Sequence, residues 1–126
     1  MTVVVAAIIQ DEQGKFLCAK RGEWKSLPGK WEFPGGKANQ DEELASALIR
    51  EIKEELSVDI KVVREFDRSV TGDIELVCYV CDLISEKPTV STDHSELSWV
   101  SEKDLSSLDW SEADLPAVKK ILIPYC

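Results

Sequence analysis

One amphipathic segment organises the chain: EELASALIREIKEELSV, residues 42–58. Its apolar residues recur at helical spacing, which predicts an α-helix over the whole segment. Glu51, Glu54 and Glu55 fall on one side of that helix, because positions three and four apart are neighbours. The acidic side borders the apolar side instead of lying opposite it, which is an unfavourable place for three like charges.

Two interpretations of this acidic side are open. It can be a water-exposed face on which Arg50 pairs with Glu54 at i,i+4, a contact that contributes a few tenths of a kcal/mol. It can also be a cation site, because hard divalent cations such as Mg²⁺ take carboxylate, phosphate and water oxygens as ligands. The spacing of the surrounding residues favours the cation site.

That spacing forms an extended motif. Gly36 is followed after five residues by Glu42, and Glu42 after seven residues by the run REIKEELSV, residues 50–58. The pattern resembles the signature of the Nudix hydrolases at every position but Ser57, where the family has glycine. A residue just beyond a helix end often adopts the left-handed conformation, so we expect serine there to cost about 1 kcal/mol, or the helix to end differently.

The resemblance implies a metal-dependent active site on this helix. Glu51, Glu54 and Glu55 would hold Mg²⁺, with Mn²⁺ as an alternative, and the backbone of Gly36 would face the metal. Arg50 would hold a glutamate in place, since guanidinium groups pair well with carboxylates. Glu51 and Glu54, with Arg50, are accordingly predicted to be catalytic.

The stretch before the helix, GKWEFPGGK at residues 29–37, resembles the MutT-like branch of the family, which hydrolyses nucleoside triphosphates. The resemblance implies that Glu32 and Lys37 lie close to the nucleotide; for Glu32 a purely structural surface role is the alternative. The glycines at 35–36 are predicted to form a turn, which can adopt positive φ and bring backbone close to a ligand. Arg21 is predicted to bind the phosphates as one of several local basic side chains.

Residues after the helix supply further candidates. The resemblance implies that an acid shortly before Trp99 reaches back to the metals, and Asp93 fits this role best, with Glu96 second. Either a helix glutamate or Asp93 would accept the proton of the attacking water. His94 could act as a base, but turn histidines are mostly exposed to solvent, so His94 is expected to be an exposed turn residue. Asp114 either caps the last helix or, as the resemblance implies, contacts the base.

Composition limits the class of protein. The chain has 126 residues, which predicts a single domain over 1–126, and a net charge of −9, which argues against non-specific binding to nucleic acid or anionic membrane. A transmembrane span and a signal peptide are both absent from the pattern, so a cytoplasmic location is expected. Cys78 and Cys81 lie three apart on a predicted strand and face opposite sides, which favours buried thiols over zinc or a disulfide.

The remaining patterns predict a protein of the α/β (α+β) class, and the resemblance implies the Nudix α/β/α sandwich with a central mixed sheet. The first two strands are expected to form a hairpin. Predicted strands cover Thr2–Gln10, Lys15–Lys20, Trp31–Phe33, Asp59–Arg68, Ile74–Ile84 and Leu97–Val100, and a last helix ends near Leu122.

The function implied by the resemblance is Mg²⁺-dependent hydrolysis of a nucleoside triphosphate to the monophosphate and pyrophosphate. An oxidised guanine nucleotide, removed from the nucleotide pool, and a cytosine nucleotide are the candidate substrates. Two alternatives are a Nudix hydrolase of another diphosphate-linked compound and a catalytically silent nucleotide-binding module. The expected partner is a small-molecule nucleotide, with no nucleic acid or membrane, and the expected state is a monomer or homodimer.

Overall fold

The computed structural model describes residues 1–92 and 94–123; Asp93 and residues 124–126 lie outside the described residues. Four strands precede the first α-helix and three more lie between the two α-helices, in a mixed α+β order. The strands are β1 (Thr2–Ile9), β2 (Phe16–Arg21), β3 (Trp31–Glu32), β4 (Gly35–Lys37), β5 (Ile60–Thr71), β6 (Ile74–Leu83) and β7 (His94–Val100). The helices are α1 (Leu44–Leu56) and α2 (Leu115–Leu122), with 3₁₀ turns at Glu102–Ser107 and Glu112–Asp114.

The strands form two sheets. The larger has the order β4-β1-β6-β5, in which β1 runs parallel to β6 and antiparallel to β4. The smaller, β3-β2-β7, is antiparallel. The predicted mixed sheet is therefore confirmed, with a second sheet beside it.

Both faces of β1 are covered. Val5, Ala7 and Ile9 pack into a core on the side of α1, whereas Ala6 and Ile8 pack into a core on the side of α2. The helices fill these two cores with Ala47, Leu48, Ile52 and Leu56 from α1 and with Ala117, Val118 and Ile121 from α2. The predicted sandwich follows directly from this alternation.

Helix α1 ends with a left-handed residue at Ser57, the position where the signature has glycine. Ser57 lies beyond the last turn with φ 57° and ψ 33°, in the left-handed region, and its N–H donates to the carbonyl of Lys53 at 3.0 Å. The helix is shorter than predicted at its start, because Glu42 and Glu43 precede the first turn. Among the described residues, no helix is long and apolar enough to cross a membrane.

The predicted hairpin of the first two strands is wrong. Strands β1 and β2 belong to different sheets, and the only bridge at their turn joins Gln10, which follows β1, to Phe16 at the start of β2. The two strands diverge because β1 pairs with β4 and β6.

The predicted glycine turn is also wrong. Gly35 and Gly36 lie in β4 opposite Ala6 and Val5, and neither has a positive φ. Their lack of a side chain matters for space instead: a Cβ on Gly35 would lie 1.9 Å from the carbonyl oxygen of Val5.

The cysteine prediction is confirmed for the described residues. Cys78 packs in the core on the side of α2 and Cys81 in the core on the side of α1, and both thiols are free. Cys18 is likewise free and buried. Cys126 lies outside the described residues.

Candidate active site

A cavity of about 610 Å³ opens beside β4 and the acidic side of α1. Strands β1 and β6 provide its apolar wall. The cavity collects most of the predicted site residues: Arg21, Glu32, Gly36, Lys37, Glu51, Glu55 and Asp114. Arg50 and Glu54 are not among the lining residues, and Asp93 lies outside the described residues.

The acidic wall of the cavity is formed by Glu51 and Glu55. The Glu51 side chain is 15% exposed, and Glu55 is buried at 8%. Gly36 lies directly against Glu51, because a Cβ at this position would be 2.4 Å from the Glu51 Oε2 atom. Glycine at this position lets the backbone of β4 approach the carboxylate without displacing the Glu51 side chain.

Arg50 connects Glu51 of the cavity wall with two acidic residues that do not line the cavity, Glu42 and Glu54. Its Nε and Nη2 atoms donate to both carboxylate oxygens of Glu42 at 2.9 and 3.0 Å. Its Nη1 donates to Glu51 at 3.0 Å and to Glu54 at 3.2 Å, and Nη2 also reaches the carbonyl of Lys37 at 3.2 Å. Hydrogen bonding to Arg50 lowers the pKa of Glu42 to about 2. One guanidinium thus sets the positions of three carboxylates.

The acidic wall suits a hard divalent cation. Mg²⁺ usually takes one or two carboxylates and completes its shell with phosphate and water oxygens, and Glu51 and Glu55 provide two carboxylates in one cavity. Glu54 is 59% exposed and turned to Arg50. Within residues 1–92 and 94–123, no three acidic, histidine or cysteine side chains converge into a complete metal site. The two carboxylates of Glu51 and Glu55 therefore fit a cation that takes its other ligands from water and from the substrate phosphates.

Asp114 lies at another part of the cavity wall and is 5% exposed. Its Oδ2 accepts the backbone N–H of Phe33 at 3.0 Å and makes no capping bond to α2, so the capping interpretation is wrong. Burial, with the nearby charge of Glu32, raises the pKa of Asp114 to about 8. At neutral pH the group is a neutral carboxyl, which donates as well as accepts.

Arg21 is engaged by neighbouring protein groups. Its Nη1 donates to Glu32 Oε1 at 2.9 Å, while Nε and Nη2 donate to the carbonyl and hydroxyl of Ser26 at 2.6 and 3.0 Å. Arg21 therefore holds the segment 22–30 against the cavity in addition to lining it.

His94 is buried, and the prediction of an exposed turn histidine is wrong. Its Nε2 lies 2.7 Å from Glu32 Oε2, and its Nδ1 lies 2.7 Å from the Ser91 hydroxyl. The strand β7 begins at His94, three residues earlier than predicted, and pairs this residue with Arg21 of β2. Strand pairing, which the local sequence does not reveal, brings His94 to Glu32.

Other residues at the site were missed by the sequence analysis. Ser26 and Ser91 bind Arg21 and His94, the backbone N–H of Phe33 binds Asp114, and Ser111 lines the cavity. No motif marks the serines, and Phe33 and Asp114 are 81 residues apart in the chain.

The NUDIX domain family model matches residues 1–121 of the chain. The chain belongs to the Nudix hydrolase family. The predicted resemblance and the assignment as a hydrolase are confirmed. Nudix hydrolases generally use a divalent metal and act on small nucleotides.

Individual Nudix relatives match over most of their length. The chain is 33% identical to a CTP pyrophosphohydrolase of Escherichia coli K12, covering 97% of this chain and 92% of that protein. It is 34% identical to a putative 8-oxo-dGTP diphosphatase 2 of Mycobacterium tuberculosis, covering 89% and 81%. A solution NMR structure of MutT from methicillin-resistant Staphylococcus aureus 252 is 42% identical, covers 98% and 96% of the two chains, and superposes with a TM-score of 0.77.

Proposed function

We propose that this Nudix hydrolase cleaves a nucleoside triphosphate to the monophosphate and pyrophosphate with Mg²⁺, or with Mn²⁺ in its place. The observation that carries the proposal is the composition of the single cavity described above. One wall offers the carboxylates of Glu51 and Glu55, and another offers the buried carboxyl of Asp114. A nucleotide with its phosphates at the first wall and its base at the second would use both.

The phosphate end is built from α1 and β4. Glu51 and Glu55, with the exposed Glu54 and the backbone of Gly36, would hold the cation, while Arg50 keeps Glu51 and Glu54 in position. A divalent cation bound there supplies neutralising charge for the phosphates and a water molecule of lowered pKa.

Basic and acidic side chains complete this end of the cavity. Lys37, on the exposed end of β4, lines the cavity and would contact a phosphate oxygen. Arg21 adds positive charge on the cavity wall. The acceptor of the proton from the attacking water is one of the helix glutamates or Asp93.

The base end is defined by Asp114. A neutral carboxyl donates from one oxygen and accepts at the other, which matches a base edge with an acceptor next to a donor. Cytosine has such an edge at N3 and its 4-amine, and an oxidised guanine has one at O6 and the protonated N7. The names of the relatives from E. coli and M. tuberculosis, which refer to CTP and 8-oxo-dGTP, support the same two substrates.

A substrate screen tests the proposal. The purified chain is incubated with Mg²⁺ and a panel of common and oxidised ribo- and deoxynucleoside triphosphates, and pyrophosphate and orthophosphate are measured separately. We expect pyrophosphate and monophosphate in equal amounts, with a cytosine or oxidised guanine nucleotide as the best substrate. Release of orthophosphate alone, or tight binding without turnover, would refute the proposal.

Variants of the acidic wall test the metal assignment. Glu51→Gln and Glu54→Gln should each lower kcat/KM by at least about a hundredfold, because the carboxylate charge that binds the cation is lost. Glu86→Gln, an exposed residue outside the cavity, is the matched control and should keep wild-type activity. Near-wild-type turnover of Glu51→Gln and Glu54→Gln would show that the cation is bound elsewhere.

A further inference from the structure

The small sheet brings together three polar residues that are far apart in the chain. In its register, Arg21 of β2 pairs with His94 of β7, and Ala19 of β2 pairs with Glu32 of β3. Cross-strand neighbours on one face of a sheet are close enough for their side chains to interact. Arg21 therefore reaches Glu32 from the neighbouring strand β2. His94 reaches it from β7, the opposite edge strand of this sheet.

The resulting contacts form a continuous chain, which we call the His94 network: Arg21, Glu32, His94 and Ser91. Arg21 Nη1 lies 2.9 Å from Glu32 Oε1, and His94 Nε2 lies 2.7 Å from Glu32 Oε2. Ser91 Oγ lies 2.7 Å from the other imidazole nitrogen. The His94 side chain is only 2% exposed, so its two ring nitrogens are bound in a site removed from water.

The charge of Glu32 determines the direction of these hydrogen bonds. Burial opposes its ionisation, but the hydrogen bond with His94 and the charge and hydrogen bond of Arg21 outweigh burial, and the pKa of Glu32 lies below its ordinary value. An ionised carboxylate only accepts hydrogen bonds. His94 must therefore carry its hydrogen on Nε2, and in the neutral ring Nδ1 accepts from the Ser91 hydroxyl.

We infer that His94, bound by Ser91, is a positioning residue that fixes the Glu32 carboxylate at the nucleotide cavity. Because Glu32 in turn binds Arg21, and Arg21 binds Ser26, the same network fixes the segment 22–30 that lines the cavity. The inference rests on the proposed function, since it concerns how that substrate is held.

Glu32 keeps the capacity to bind a ligand while it is held. Each carboxylate oxygen has about two acceptor positions, and the contacts to Arg21 and His94 occupy one on each oxygen. Glu32 lines the cavity, so the remaining positions can accept from an amine or hydroxyl of the substrate. Because both oxygens are already held, the Glu32 side chain loses little conformational entropy when it binds such a donor.

The first test needs no substrate. His94 is the only histidine of the chain, so its imidazole signals in a long-range ¹H–¹⁵N NMR spectrum of the whole protein are unambiguous. Because Nε2 lies 2.7 Å from Glu32 Oε2, we expect this nitrogen to carry a hydrogen held in that bond, and the ring to give one set of signals. A predominant Nδ1–H tautomer, or two tautomers in exchange, would overturn the inference.

The second test separates binding from turnover with variants of the network. His94→Ala should raise KM for the best triphosphate by about tenfold or more and change kcat by less than about threefold, because the bond that orients Glu32 is lost. His94→Gln should restore most of the KM, since the glutamine amide can donate where Nε2 does. Ser91→Ala should raise KM by a smaller factor, and Ser95→Ala, an exposed neighbour, is the matched control.

A double-mutant cycle decides whether His94 acts through Glu32. The effect of His94→Ala on KM should disappear when Glu32 is already alanine, because residues of one network are not additive. Equal losses on both backgrounds, or an unchanged KM in His94→Ala and Ser91→Ala, would overturn the inference. Thermal unfolding of each variant verifies folding; should His94→Ala not fold, Ser91→Ala and His94→Gln carry the cycle.

The two proposals fail in different ways. If the wild-type chain releases no pyrophosphate from any triphosphate, the proposed function falls, and the histidine spectrum still decides the arrangement of the His94 network. If turnover is present and the variants show no coupling with Glu32, only the positioning role falls.

Discussion

Ser57 adopts a backbone conformation that is unfavourable for serine. It ends α1 at φ 57°, a conformation that glycine adopts readily and that is unfavourable for a residue with a Cβ. Ser57 is exposed, so packing does not compensate for the strain. Ser57 is not among the residues that line the cavity, so we attribute to it a cost in stability and not in chemistry.

Ser57→Gly should therefore stabilise the protein by about 1 kcal/mol, measured as the free energy of unfolding in urea. Ser46→Gly is the matched control, because Ser46 is an exposed residue inside the same helix. Glycine there should destabilise by about 0.5 kcal/mol. If both substitutions destabilise, Ser57 is not strained.

Asp114 links stability to pH. Its pKa is raised to about 8 in the folded protein, chiefly by burial, and is about 3.9 in an unfolded chain. Between these values the folded state holds a proton that the unfolded state has released. The free energy of unfolding that this group contributes is therefore fully present below pH about 4 and is lost as pH rises to about 8, at roughly 1.4 kcal/mol per unit.

Asp114→Asn removes this titration and keeps an acceptor for the N–H of Phe33. The difference in unfolding free energy, wild type minus Asp114→Asn, should fall steadily from pH about 4 to about 8 and then level off. Urea denaturation at intervals of one pH unit measures it. Parallel curves for the two proteins over this range would mean that Asp114 titrates normally in the fold.

At the scale of elements, strand β4 explains the glycine pair of the signature. Gly35 has no room because β4 lies against the backbone of β1, whereas Gly36 has no room because the Glu51 side chain of α1 lies over it. The first contact is with rigid backbone and the second with a movable side chain. The two glycines therefore serve different purposes, one in folding and one in the site.

Gly35→Ala should lower the free energy of unfolding by about 3 kcal/mol or more, because a Cβ would overlap the Val5 carbonyl. Gly36→Ala should cost less than about 1 kcal/mol but lower kcat/KM by about tenfold or more, because Glu51 must move. Urea denaturation and triphosphate hydrolysis measure the two effects. A reversed order of the two stabilities would contradict this division of roles.

At the scale of the whole molecule, the central sheet separates two cores that both contain cysteine. Cys18 and Cys78 lie in the core on the side of α2, and Cys81 lies in the core on the side of α1. Burial raises the pKa of Cys18 and Cys81 to about 12 and raises that of Cys78 as well. The thiolate is the reactive form, so these thiols are protected as long as both cores stay closed.

In a Cys126→Ser background, a thiol reagent such as Ellman's reagent should label none of the remaining three cysteines of the folded protein at pH about 8. All three should react after denaturation in guanidinium. The rate of labelling reports the opening of the cores. Fast labelling of one thiol in the folded protein would show that its core opens independently.

Much of the fold follows from local sequence. The apolar period of residues 42–58 and the apolar run of β1 predict a helix on a covered strand, and α2 and the opposite faces of Cys78 and Cys81 were predicted correctly. The pairing of strands was not: β1 and β2 do not form a hairpin, because the choice of neighbour depends on the β4 and β6 partners.

The sequence by itself determined the family and the acidic side of α1, because the spacing of Gly36, Glu42 and residues 50–58 is a property of one continuous stretch. Only the tertiary structure decided which groups share the cavity, which of them are buried and which are protonated. Asp114 became a neutral carboxyl against the N–H of Phe33, and His94 a buried partner of Glu32. Burial and long-range pairing set those states, and neither is encoded in neighbouring residues.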